Sequence, residues 1–193
     1  MTTATQPLVA YHGDEALKTR IMAQIRAHRE ADEIAQGSYY RVNGKLKVCA
    51  VGCVLHDPDG GHAAYETEFG IPAQLAYLED GLFESMELGL AKEWPARFMG
   101  AIQPGADLSK VWPQFAVWLM VDEKWGTINT TDDEEVKTIC RRVAEGYQRA
   151  VDDNPLSDED AQALAWAAWD ARAARAARVL AGSDKLIELI EAA

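Results

Sequence analysis

Cys49, Cys53, His56 and His62 are the residues of this chain whose types and spacing can do chemistry. Thiolates and imidazoles are the usual ligands of zinc, and a thiol beside an imidazole is a nucleophile beside its base. The run from Val48 to Leu55 is small and apolar, and Pro58 and Gly60-Gly61 end it, so it reads as a short buried helix. On a helix Cys49, Gly52, Cys53 and His56 fall at i, i+3, i+4 and i+7, one stripe. Two arrangements follow. Either the stripe converges with His62 on a zinc ion or a reactive thiol, or Cys, Gly and Cys are small residues that let a neighbouring helix approach, since free Cys behaves as a small hydrophobe. Cys-x3-Cys is not a common structural-zinc spacing, no second pair accompanies it, and Cys140 lies far along the chain. Packing is therefore favoured, no cofactor is expected, and zinc on Cys49, Cys53, His56 and His62 is the alternative. As an enzyme, the chain would use Cys49, Cys53 and His62.

The elements that must position these residues are mostly helical. Asn43-Gly44 between runs rich in Tyr, Val and Leu predicts a small β-hairpin near 39–48 with a type I′ turn. Asp14 is an N-cap for a helix carrying Leu17, Ile21 and Ile25 on its buried face, continued by Ala31 and Ile34 and stopped at Gly37. His28 on that helix is expected at the surface. Gly70-Ile-Pro72 opens a helix with Leu75, Leu78, Leu82 and Phe83 inward, and Gly81 within it signals close packing. Asp80, Glu84 and Glu87 line its other face at i, i+4 and i+7. Loop-borne His62, near Glu66 and Glu68, is a weaker acid–base candidate. Val111 to Val121 is the greasiest helix, expected mid-core with Val111, Phe115, Trp118 and Leu119 inward. A helix after Thr130-Thr131 buries Cys140, and an alanine-rich pair follows Ser157, with Trp166, Trp169, Arg172, Arg175 and Arg178 in an oblique ridge. The fold expected is an all-α globular domain of six to eight helices with one hairpin and a C-terminal Ala-rich helical pair. Its divisions are a flexible tail over 1–13, a core over 14–151, and an extension over 152–193 that docks on the core or on a partner.

A chain of 193 residues with 48% hydrophobic content can bury a core without staples. Three cysteines make no disulfide framework, residues 1–13 lack a basic region followed by an apolar one, and a reduced, cytoplasmic protein is expected. The formal net charge is −12. Residues 1–50 hold seven Lys or Arg against five Asp or Glu, whereas residues 51–100 hold two against nine. That sign argues against nucleic acid and anionic membranes and suits a basic protein partner. No P-loop, dinucleotide fingerprint, Gly-x-Ser-x-Gly or His-Glu-x-x-His is present.

The runs Cys49-Ala-Val-Gly-Cys53 and Gly70-Ile-Pro-Ala-Gln-Leu-Ala-Tyr-Leu-Glu-Asp80 carry a resemblance, as do the Trp-Pro segments at 94–98 and 112–115. They resemble small helical bacterial and bacteriophage proteins to which no activity is attached. The resemblance implies a viral or mobile-element setting, where small acidic proteins bind and block host machinery such as CRISPR-type defence complexes. The function expected is thus non-enzymatic: Asp80, Glu84 and Glu87 bind and inhibit a basic, nucleic-acid-handling partner. The alternatives are the metal- or thiol-dependent enzyme above and a homo-oligomer joined through the C-terminal helices.

Overall fold

The computed structural model describes residues 8–37, 40–42, 45–56, 61–154 and 179–193, and these are mostly helical. The chain forms two compact units, one of residues 1–109 with 190–193 and one of residues 110–189. The division falls between Ser109 and Lys110, whereas the sequence pattern had placed it at Asp152.

The first unit is built around a very short helix. Helix α1 (Glu15–Glu30) starts at Asp14, whose side chain accepts from the Ala16 N–H at 2.8 Å, and buries Leu17, Ile21 and Ile25. It ends at Glu30, well before Gly37, because Asp32 turns left-handed at φ 53°. Ala31 is consequently exposed, while Ile34 is buried through a parallel bridge to Val48. Strands β1 (Tyr40–Val42) and β2 (Lys45–Lys47) pair antiparallel, Arg41 opposite Leu46. The predicted turn residues Asn43 and Gly44 lie outside the described residues. Helix α2 (Ala50–Leu55) buries Ala50, Val51, Gly52, Cys53 and Val54, because α1, α4 (Ala73–Ser85) and α6 (Trp94–Ala101) all pack on it. Its last carbonyls, those of Cys53 and Val54, accept from the Gln24 side chain at 2.9 and 2.8 Å. Helices α3 (Ala64–Phe69) and α5 (Leu88–Ala91) complete the unit.

Residues 8–13 are not a loose tail. Ala10 and Tyr11 are fully buried, and the Tyr11 hydroxyl donates to the Met99 carbonyl at 2.7 Å. Ala10 is bracketed by backbone bonds to Gly105 and Ala106. The segment rests on the end of α3, where Gly70 has φ 63° and a Cβ would stand 2.1 Å from the Val9 carbonyl oxygen. Gly70→Ala therefore meets both a left-handed penalty and a backbone clash, and should cost about 3 kcal/mol or more in urea unfolding. A cost below about 1 kcal/mol would show that residues 8–13 are not anchored there.

Gly81 is a correction of the opposite kind. It is exposed, and a Cβ there would meet nothing within 4 Å. No neighbour needs the glycine, so Gly81→Ala should stabilise by about 1 kcal/mol and raise hydrogen-exchange protection along α4. A destabilised variant would contradict the open environment.

The second unit pairs α7 (Val111–Val121) with α8 (Glu134–Val151). Asp133 caps α8 by accepting from the Glu135 N–H at 2.9 Å. Met120, Cys140, Val143 and Ala144 form the core, with Leu119, Ile139 and Tyr147 against it. Val111 and Phe115 are buried as expected, whereas Trp118 and Leu119 are only half-buried. The last helix is α9 (Val179–Glu191). Ser157, Trp166, Trp169, Arg172, Arg175 and Arg178, from which the C-terminal helical pair was inferred, lie outside the described residues.

Candidate functional site

The thiols do not form the stripe that their spacing suggests. Cys49 is the residue before α2, in extended backbone, and His56 ends the helix in the left-handed region at φ 55°. Only Gly52 and Cys53 of the four belong to the helix itself. Cys53 is fully buried and Cys49 partly so. Burial raises the Cys49 thiol above its ordinary pKa, and the carboxylates of Asp80 and Glu84 add to this. Cys53 is raised much further, by burial first and then by Glu79. Cys49 does stand at the start of α2, where the Gly52 and Val51 N–H groups lower its pKa, but burial outweighs them, whereas a catalytic thiol needs the balance to favour thiolate. Among the described residues, no three His, Cys, Asp or Glu side chains are grouped as a metal site requires. Cys49, Cys53, His56 and His62 thus gather neither a zinc ligand set nor a nucleophile with its base.

His56 instead meets a residue from α1. His28 is buried at 5% exposure, not at the surface, and its Nδ1 lies 2.7 Å from Glu33 Oε2. Its Nε2 lies 2.9 Å from Nδ1 of His56. An ionised carboxylate only accepts, so Nδ1 of His28 carries a hydrogen there. The chain Glu33–His28–His56 orients His56 and ties α1 to the end of α2. Sequence periodicity has no means of pairing residues 28 apart on separate elements.

Helix α4 holds the other polar groups, divided between its faces. Glu79 is fully buried, with Leu75 and Phe83 one turn to either side. The Tyr65 hydroxyl donates to its Oε2 at 2.6 Å, while Oε1 has no hydrogen-bond partner among the described residues. The Trp94 indole N–H donates to the Glu79 carbonyl at 3.0 Å, which fixes the helix beneath it. Burial pushes the Glu79 carboxyl up to about 8, against the Tyr65 hydrogen bond, which lowers it. Asp80, the next residue, is half-buried. Its Oδ2 lies 3.2 Å from Nε2 of His62, and its Oδ1 is buried without a hydrogen-bond partner among the described residues. His62 stacks on Tyr77, with ring centroids 4.0 Å apart and planes 14° from parallel. His62 therefore pairs with Asp80, not with Glu66, whose side chain accepts from the Ala73 N–H, or with Glu68.

The expected acidic row is partly rearranged. Glu84 is exposed and accepts the Gly37 N–H on both oxygens, at 2.9 and 3.0 Å. Burial raises its carboxyl against that bond, and the Asp80 carboxylate adds to the rise. Glu87 has left α4, which ends at Ser85, and sits exposed as the residue before α5. What shares the outer stripe of α4 is Tyr77, Asp80 and Glu84, at i, i+3 and i+7. Tyr77 on this stripe is 62% exposed, and Leu88 and Leu90 of α5 are exposed large apolar residues as well.

The second unit holds a shallow open cleft of about 400 Å³, lined by Val117, Trp118, Val121, Gln148, Lys185 and Leu189. It brings together none of the residues singled out from the sequence. Among the described residues no helix is long and apolar enough to cross a membrane. Comparison with protein-family models, curated proteins and solved structures finds no match.

Proposed function

We propose that the first unit is a non-enzymatic docking module whose α4 face binds a basic protein surface. The observation that supports this most is the sequence from Val48 to Ala91, which contains no Lys or Arg, while Asp80, Glu84 and Glu87 stand along its outer side. Three described cations of this unit, Arg29, Lys47 and Lys92, are occupied with Glu93 and Asp32. Asp80, Glu84 and Glu87, which no described Lys or Arg pairs with, and the exposed Tyr77, Leu88 and Leu90 together suit a recognition surface for a basic partner. The same sign opposes phosphate backbones, so a basic polypeptide is the fitting partner. Blocking such a partner, as the resemblance to bacteriophage proteins implies, is the role this reading carries. The raised thiols speak against nucleophilic catalysis at Cys49 or Cys53.

The test is titration calorimetry with octalysine against the full chain at low salt. The triple variant Asp80→Asn, Glu84→Gln, Glu87→Gln keeps acceptors for His62 and Gly37 while removing the charge. It should bind about tenfold more weakly, since surface pairs contribute up to about 1 kcal/mol each. A control variant, Glu134→Gln with Glu135→Gln at the start of α8, should bind as the parent does. Equal affinity of parent and triple variant would remove the α4 face from the account.

A further inference from the structure

We infer that Tyr77, Asp80 and Glu84 form a site for an arginine side chain of the partner, which His62 fills while no partner is bound. The inference rests on the docking role proposed above and narrows it to one contact. A guanidinium is a planar cation that stacks on an aromatic face and offers parallel N–H groups to a carboxylate. His62 does both less fully. It is a flat ring 4.0 Å from the Tyr77 centroid, and it gives Asp80 a single contact at 3.2 Å. Among the described residues the second oxygen, Asp80 Oδ1, is buried without a hydrogen-bond partner, and a two-pronged donor taking the place of His62 would satisfy it. Leaving a buried acceptor unmet costs free energy, so its presence marks a place where another donor is favourable.

The surroundings fit the same ligand. Glu84 stands one turn beyond Asp80 with an exposed carboxylate, and its bonds to the Gly37 N–H use only part of its accepting capacity. No Lys or Arg of the chain between residues 48 and 91 is there to take the place. His62 lies in the turn before α3 and not within a helix, so its side chain can leave without unwinding one. Lysine fits less well: its ammonium is a point charge with neither the flat face nor the paired donors.

The experiment compares octaarginine with octalysine, which carry equal charge, by calorimetry and by the aromatic resonances of Tyr77 and His62. Octaarginine should bind about two- to fivefold tighter, the size of one exposed cation–π contact, and should shift both ring signals as His62 leaves. Tyr77→Ala should abolish that preference while octalysine affinity stays unchanged. His62→Ala should strengthen octaarginine binding, because the competitor is gone. Equal affinity for the two peptides with unmoved ring signals would overturn the arginine site and leave the acidic face standing. Weaker binding by His62→Ala would overturn it too, since His62 would then be part of the surface and not its occupant. Failure of both peptides to bind would overturn the docking role itself.

Discussion

Replacing Glu79 by Gln will stabilise the protein at neutral pH and remove most of its loss of stability between about pH 4.5 and 8. The unfolded chain ionises this carboxyl near 4.5, whereas in the fold burial holds it protonated up to about 8. Below 4.5 both states are protonated and the group has no effect on stability. As pH rises towards 8 only the unfolded chain releases the proton, so stability falls by about 1.4 kcal/mol per pH unit. By pH 7 the loss amounts to about 3 kcal/mol; above about 8 both states are ionised and the slope vanishes. Gln has nearly the same shape, can accept from the Tyr65 hydroxyl, and does not titrate. Urea unfolding of parent and variant at pH 5, 6, 7 and 8 isolates the effect, because every other titrating group is common to both. Parallel profiles would show that Glu79 is not the buried acid described above.

Cys53 and Cys140 will resist alkylation by iodoacetamide by about a thousandfold or more relative to the urea-unfolded chain. Both are fully buried, and the Cys53 thiol is held far above its ordinary range. Reagent therefore reaches them only through opening of the fold, which for core residues approaches the global unfolding free energy. Cys49, partly exposed and less strongly raised, should react first of the three, yet more slowly than a free thiol. Mass spectrometry of partly labelled protein gives the order directly. Either residue of the 49/53 pair reacting faster than a free thiol at pH 7 would revive the nucleophile that the geometry disfavours.

Local signals in the sequence translated well into local structure. Asp14 caps the helix that its position announces, and the four-residue step of Leu17, Ile21 and Ile25 is the buried side of α1. The run after Val48 is helical and interior, as its small apolar residues imply. Helix ends were harder to read. Cys49 and His56 drop off the stripe because α2 is six residues long, and Glu87 drops off because α4 stops at Ser85. Gly81 carries no signal of packing at all. Contacts between distant elements were invisible to periodicity, which is why the Glu33–His28–His56 chain and the His62–Asp80 pair emerge only in three dimensions. Glu79 is different. It stands at a four-residue step between Leu75 and Phe83, so its burial was written in the pattern and hidden by the habit of assigning Glu to solvent.

The measurement that bears most directly on the docking role is an amide footprint, with backbone signals of the full chain followed while octaarginine is added. The account predicts that shifts concentrate on residues 77–90 and His62, and fade as salt rises. Shifts centred on Cys49, Cys53 and His56, or spread evenly to the acids that open α8, would contradict it.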